Sequence, residues 1–202
     1  ETATAAHFVR LLGEKVRNGL KIEGIPTSVR TSVLAREQGI RLTDFSQRAR
    51  LDVSVDGADE FDPSLNLIKG GGGALLREKI VATATDLFII AADSRKPVSV
   101  LGAFPLPVEV IPFGWELAGK QIRDLGADVK LRMTATSQPF FTAQKNHILD
   151  CKFEEIQNPK GLSDSLRQIT GVVEHGLFVG LTDLVIVGRG DTTETLSAKG
   201  ES

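Results

Sequence analysis

Apolar residues recur at helical spacing over residues 4–17, where Ala5, Phe8, Leu11, Leu12 and Val16 share one face. That period predicts an amphipathic helix with Thr4 as its N-cap. Gly24-Ile25-Pro26-Thr27-Ser28 reads as a short turn-bounded segment, and a second helix carrying Val33, Leu34 and Ala35 stops at Gly39. Ile40 and Leu42 open a short strand, and Leu51-Asp52-Val53-Ser54-Val55 alternates strictly, predicting a strand that ends at Asp56. Leu65 to Ile68 leads into four consecutive glycines, Gly70 to Gly73, and then a helix from Ala74 to about Thr85. Leu87 to Ala92 is a continuous apolar run ending at Asp93, as expected of a strand buried on both faces.

The pattern changes near Pro105 and Pro107. A strand over 108–111, a helix over 115–125, strands at 129–132 and 147–150, a helix over 162–169 and a strand over 172–178 give the order βαββαβ. That order is the mark of a split-βαβ, ferredoxin-like unit. Leu184 to Val187 then returns to the first sheet, and the polar tail from Gly188 to Ser202 is expected to fray. Strands alternating with helices predict an α/β fold, a Rossmann-like and mainly parallel sheet, with a smaller α+β lid. The expected division is residues 1–104 plus 183–202 for the larger unit and 105–182 for the lid.

Composition narrows the classes. Of 202 residues, 41% are apolar and 25% charged, ordinary for a chain with a packed core. Twenty-four basic against 26 acidic side chains leave no basic footprint for nucleic acid or an anionic membrane. No apolar run approaches the length of a membrane span. The single cysteine, Cys151, favours a reducing, cytosol-like compartment. The chain begins at Glu1, not Met, and opens in mid-pattern, which reads as a fragment or processed form lacking an N-terminal element.

Three constellations stand at predicted strand ends, where open α/β sheets hold ligands. Asp56-Gly57-Ala58-Asp59-Glu60 places carboxylates where they converge on a small polar ligand, although an acidic surface turn has the same composition. Lys69 precedes the glycines, whose backbone admits close approach and leads into a helix N-terminus suited to an anion. Arg77-Glu78-Lys79 follows within about one turn of that end. Lys96, beyond the strand ending at Asp93, is a further candidate. Among the histidines, His175 is read as facing a cleft or solvent. No His/Cys set has zinc spacing and no acidic run has that of an EF-hand.

Taken together, Asp56-Gly57-Ala58-Asp59-Glu60, Lys69-Gly70-Gly71-Gly72-Gly73 and Arg77-Glu78-Lys79-Ile80 resemble the ribose-5-phosphate isomerase A family. Leu106-Pro107-Val108-Glu109-Val110 and Gly171-Val172-Val173-Glu174-His175-Gly176-Leu177-Phe178 extend the resemblance from about Ala5 to Gly188. The resemblance implies interconversion of ribose 5-phosphate and ribulose 5-phosphate without metal or other cofactor, by a homodimer or homotetramer. It implies Glu78 as general base, with Asp56, Asp59 and Lys69 as the other catalytic groups. Thr4, Thr27, Ser28, Gly57, Ala58, Gly70, Gly71, Gly72 and Lys96 would contact substrate. The expected location is the cytoplasm, with a plastid stroma as the open alternative.

Two segments depart from the family. Glu1-Thr2-Ala3-Thr4 stands where a Gly-Thr-Gly-Ser-Thr phosphate loop is usual, and Thr142-Ala143-Gln144-Lys145-Asn146 replaces Thr-Asp-Asn-Gly-Asn in a hairpin expected to lie away from the chemistry. The first departure favours a second reading, a sugar-phosphate-binding homologue with impaired turnover. Retention of Glu78, Asp56, Asp59 and Lys69 opposes it.

Overall fold

The computed structural model describes residues 3–198. α1 (Ala3–Arg17) and α2 (Val29–Glu37) pack through Val9, Ala35 and Ile40, with Phe8, Leu12 and Leu34 around them. Thr4 lies inside α1 instead of capping it, because the helix already includes Ala3. Ser28 caps α2, its hydroxyl accepting the Thr31 N–H at 3.0 Å. The helix pair flanks two short parallel strands, β1 (Glu23–Gly24) and β2 (Arg41–Leu42).

The main sheet runs β13-β12-β6-β3, built from β3 (Leu51–Asp56), β6 (Thr85–Asp93), β12 (Leu184–Arg189) and β13 (Thr192–Ser197). β3, β6 and β12 are mutually parallel, and β13 returns antiparallel along β12. The tail expected to fray is therefore an ordered edge strand as far as Ser197, held by a six-pair ladder from Leu184↔Ser197 to Arg189↔Thr192. Its Thr-rich alternation carries almost no apolar signal, so backbone pairing decides its structure. In β6, Phe88, Ile90 and Ala92 are buried while Leu87, Ile89 and Ala91 are half-buried, so one face is closed and the other partly covered. The outer edge of β3 is unpaired in the described residues and faces β1 across a groove.

The smaller unit comprises β7 (Leu106–Val110), α4 (Trp115–Asp124), β8 (Asp128–Leu131), β9 (His147–Lys152), α5 (Pro159–Arg167) and β10 (Val172–His175). Its sheet order, β10-β7-β9-β8 with every pair antiparallel, is the ferredoxin-like arrangement its βαββαβ order predicts. Val108, Val110, Ile122, Leu149 and Leu166 are fully buried between that sheet and its two helices.

Between the two units lies a three-stranded antiparallel sheet of β4 (Glu60–Phe61), β5 (Leu67–Ile68) and β11 (Leu177–Phe178). The strand expected over 172–178 is therefore two strands. It breaks at Gly176, whose N–H donates to Pro107 O at 2.7 Å and whose carbonyl accepts the Lys69 N–H at 2.9 Å. A Cβ there would sit 2.1 Å from the Lys69 carbonyl oxygen, so only glycine permits this crossing. α3 (Leu75–Thr83) follows the glycine loop and touches β3, β6, β7 and β10. One nine-residue helix is thus clasped by both units.

A candidate active site at the ends of the parallel strands

Lys69 is the centre of the arrangement. Pairing of β5 with β4 and β11 fixes its backbone, and its side chain is only 3% exposed. Nζ lies 2.9 Å from Asp56 Oδ2, 3.2 Å from Glu78 Oε2, and donates to Gly57 O at 2.5 Å. Asp56 comes from the C-terminal end of β3 and Glu78 from the first turn of α3. Burial alone would favour the neutral amine, but the charges of Asp56 and Glu78 outweigh it and hold Lys69 protonated well above its ordinary range.

Glu78 has the opposite balance. Its burial pushes the carboxyl pKa upward, Lys69 pulls it back, and the nearby Asp56 and Asp59 add to the rise. Although Lys69 is within ion-pair reach of Oε2, that oxygen accepts no hydrogen bond among the described residues. The geometry leaves a largely buried carboxylate that lines the groove and has a raised pKa, the two properties a proton carrier needs.

Asp59 is held differently, its Oδ2 accepting the Gly71 N–H at 2.8 Å. Protein packing accounts for glycine at three positions of the loop. A Cβ on Gly70 would meet Leu75 at 2.8 Å, one on Gly71 would meet Asp59 Oδ1 at 2.7 Å, and one on Gly73 would meet Phe140 at 2.6 Å. Arg132, at the end of β8, donates through Nη1 to Gly70 O and Gly71 O at 3.0 and 3.1 Å. Its other nitrogens hold Asp150 as a two-pronged pair.

The small unit also grips α3 on either side of Glu78. Gln144, its amide oriented by its partners, accepts from Arg77 Nε and Nη2 at 2.7 and 2.9 Å. The hairpin expected to lie away from the chemistry therefore touches the residue next to Glu78. Thr142 and Asn146 anchor that hairpin on buried Glu109, at 2.8 and 2.9 Å. Lys79 donates to Glu174 Oε1 at 2.8 Å and to His175 O at 2.6 Å. His175 is fully buried, facing neither cleft nor solvent. The Leu177 N–H reaches its Nδ1 and Ser163 its Nε2, and burial pushes its pKa down to about 3.

A groove of about 480 Å³ opens beside this cluster. Asp56, Gly57, Ala58, Asp59, Lys69, Gly70, Gly71, Gly72 and Glu78 line its polar end, and Thr27, Ser28 and Thr31 stand at the start of α2. Phe8, Leu12, Ile40 and Leu42 line the rest. Thr4 is exposed near the start of α1 and Lys96 lies in the turn after β6; neither lines the groove. Lys79, Glu174 and Gln144 stood in segments the sequence singled out, but their pairings did not show and Arg132 carried no signal, because each acts through a partner distant in the chain.

A buried lysine shared by carboxylates at the strand ends of an open α/β sheet defines an acid–base enzyme for a small, polar substrate. The comparisons with known proteins specify which. A family profile for ribose 5-phosphate isomerase A (phosphoriboisomerase A) matches residues 23–192. Ribose-5-phosphate isomerase A of Ruegeria sp. (strain TM1040) is 53% identical over 197 residues, covering 94% of this chain and 75% of that protein. The enzyme of the same name from Parvibaculum lavamentivorans is 51% identical over 202 residues, covering 97% and 87%. A D-ribose-5-phosphate isomerase solved in complex with phospho-erythronic acid superposes with a TM-score of 0.94 at 40% identity, over 98% of this chain and 88% of that one. The isomerase from Methanocaldococcus jannaschii gives 0.93 at 35% identity over the same shares. The chain belongs to the ribose 5-phosphate isomerase A family.

Proposed function

We infer that this chain interconverts D-ribose 5-phosphate and D-ribulose 5-phosphate, and that Glu78 is the base that moves the proton. The observation that carries the assignment is the Glu78 carboxylate, which lines the groove while its Oε2 lies 3.2 Å from the Lys69 ammonium. In the open-chain aldose, Glu78 removes the proton from C2, and the electrons of that C–H bond form the enediolate. Proton exchange between O1 and O2 then lets the same carboxylate return its proton to C1, giving the ketose. One carboxylate serves both transfers because C1 and C2 are adjacent on one face of the substrate.

Charge develops on the enediolate oxygens and needs positive potential or N–H donors. Lys69 supplies the potential, its ammonium held between Asp56 and Glu78, and the glycine-loop backbone supplies a donor besides the Gly71 N–H, which Asp59 takes. Asp56 and Asp59 are assigned to ring opening and to the sugar hydroxyls, since both stand at the polar end of the groove. Thr27, Ser28, Gly57 and Ala58 line the same groove and are proposed substrate contacts. Lys96 and Thr4 keep that assignment on the family resemblance alone. The chain is further proposed to work as a homo-oligomer in a reducing, cytosol-like compartment.

Turnover of ribose 5-phosphate by wild type and Glu78→Gln tests the reading. The variant should lose about two to four orders of magnitude in kcat, the usual worth of a positioned base, while still binding substrate. Equal rates would remove Glu78 from the mechanism. Binding without turnover in the wild type would favour the non-catalytic homologue.

A further inference from the structure

The Arg132 guanidinium reaches across from the small unit to two successive carbonyls of the glycine loop, Gly70 O and Gly71 O. A trans peptide points its C=O and the following N–H in opposite directions, and the described chain has no cis bonds. Holding Gly70 O toward Arg132 therefore turns the Gly71 N–H the other way, where Asp59 Oδ2 accepts it at 2.8 Å. The same rule applied to Gly71 O turns the Gly72 N–H away from Arg132. Gly72 lines the groove, Arg132 does not, and the Gly72 N–H donates to no group among the described residues. We propose that Arg132 is a positioning residue for the isomerisation: it orients the loop so that the Gly72 N–H is presented to the oxygen that gains charge in the enediolate.

Three features suit Arg132 to this task. Its side chain is 14% exposed, and Asp150 holds its Nε and Nη2 while Nη1 serves both carbonyls. The Phe140 ring, packed against Gly73, lies 5.9 Å from the guanidinium carbon and limits its movement. A charged donor on each carbonyl also polarises the amide, which strengthens the N–H on its far side. Lysine carries the same charge but lacks the rigid fork needed to serve Asp150 and two carbonyls at once.

The inference rests on the isomerase reading and is tested by kcat, KM and two inhibitors. Phospho-erythronate carries a planar carboxylate resembling the enediolate, whereas ribitol 5-phosphate has no such group. Arg132→Met should lower kcat about 100-fold, as loss of one preorganised donor does, with KM within about threefold. Phospho-erythronate should weaken by a similar factor and ribitol 5-phosphate should not. Arg132→Lys and Asp150→Asn, which disturb the fork less, should show smaller losses with the same split. Wild-type kcat in folded Arg132→Met would overturn the assignment, as would equal weakening of both inhibitors in the milder variants. No turnover by the wild type would instead remove the isomerase reading itself.

Discussion

Two lysines ten positions apart, Lys69 and Lys79, are buried to the same extent, each 3% exposed. Both ammonium groups lie over the Phe178 ring, at 5.5 and 5.0 Å from its centroid. Their proton affinities nonetheless diverge. Burial drives each toward the neutral amine, but Lys69 has two carboxylates, Asp56 and Glu78, and is held protonated above its ordinary range. Lys79 has one, Glu174, with Arg167 opposing, and falls to about 8. At similar burial, the number of counter-charges sets how tightly the proton is held. The groove end thus holds more negative than positive charge, which helps raise the Glu78 pKa, while the junction between the units holds a balanced pair that grips α3.

Lys69→Met should break the comparison most severely. It removes the cation that pulls the Glu78 pKa down while burial, Asp56 and Asp59 still push it up. A base must be ionised to act, so the rate falls as pH drops through the Glu78 pKa, which already stands above the ordinary 4.5. Without Lys69 that acid limb should move to still higher pH, and kcat/KM at its optimum should fall about 100- to 1,000-fold, the scale of lost electrostatic stabilisation. A pH–rate profile checks both. An unmoved acid limb would show that Lys69 does not set the Glu78 proton.

Much of this contrast was hidden from the sequence. Periodicity revealed α1 and β3, a continuous apolar run revealed β6, and the glycine loop betrayed both α3 and the site because glycine runs are rare beside a strand and a helix. β13 was missed because Thr192 to Ser197 has little apolar face and depends on pairing with β12. The break at Gly176 was missed because its cause, the Lys69 carbonyl, is over 100 positions away. The burial of His175 escaped because a His after a Glu looks solvated until Ser163, Lys79 and Leu177 surround it. The residues of the proton-transfer cluster were legible as types at strand ends, but the contacts that fix their charge were not.

Glu174→Gln tests the other lysine and should act mainly on stability. The carboxylate holds Lys79 charged, so its loss leaves a buried ammonium with only neutral acceptors, costing about 3 kcal/mol at neutral pH. For a chain of this size the unfolding midpoint should drop by about 6–12 °C. In the wild type the Lys79 pKa is depressed from 10.5 to about 8, so between those values the unfolded chain binds more protons than the folded one. Stability from this group therefore rises with pH through that window, and it is smallest below about 8. In the variant the pKa falls further, so the rise should begin nearer neutrality. Thermal melts across pH 6–10 would show it, and an unchanged midpoint would mean that the pair does not brace α3.

Phe178→Leu should have the smallest effect and be the most informative, because the ring is what the two regions share. The side chain is fully buried, and Phe88 packs against it with ring centroids 6.4 Å apart. Leucine fills much of the space but has no aromatic face, so the loss of stability should be about 2 kcal/mol, below the 3–5 of a full truncation. The ring face also favours a charged ammonium, a contribution near 1 kcal/mol per site, so kcat/KM should fall about fivefold through Lys69. The decisive comparison is a double-mutant cycle with Lys69→Met. If the ring acts on the reaction through the Lys69 ammonium, Phe178→Leu should cost no further activity once that ammonium is gone, while its stability loss persists. Equal activity losses in both backgrounds would mean that Phe178 serves only packing, and that the two lysines differ without being linked.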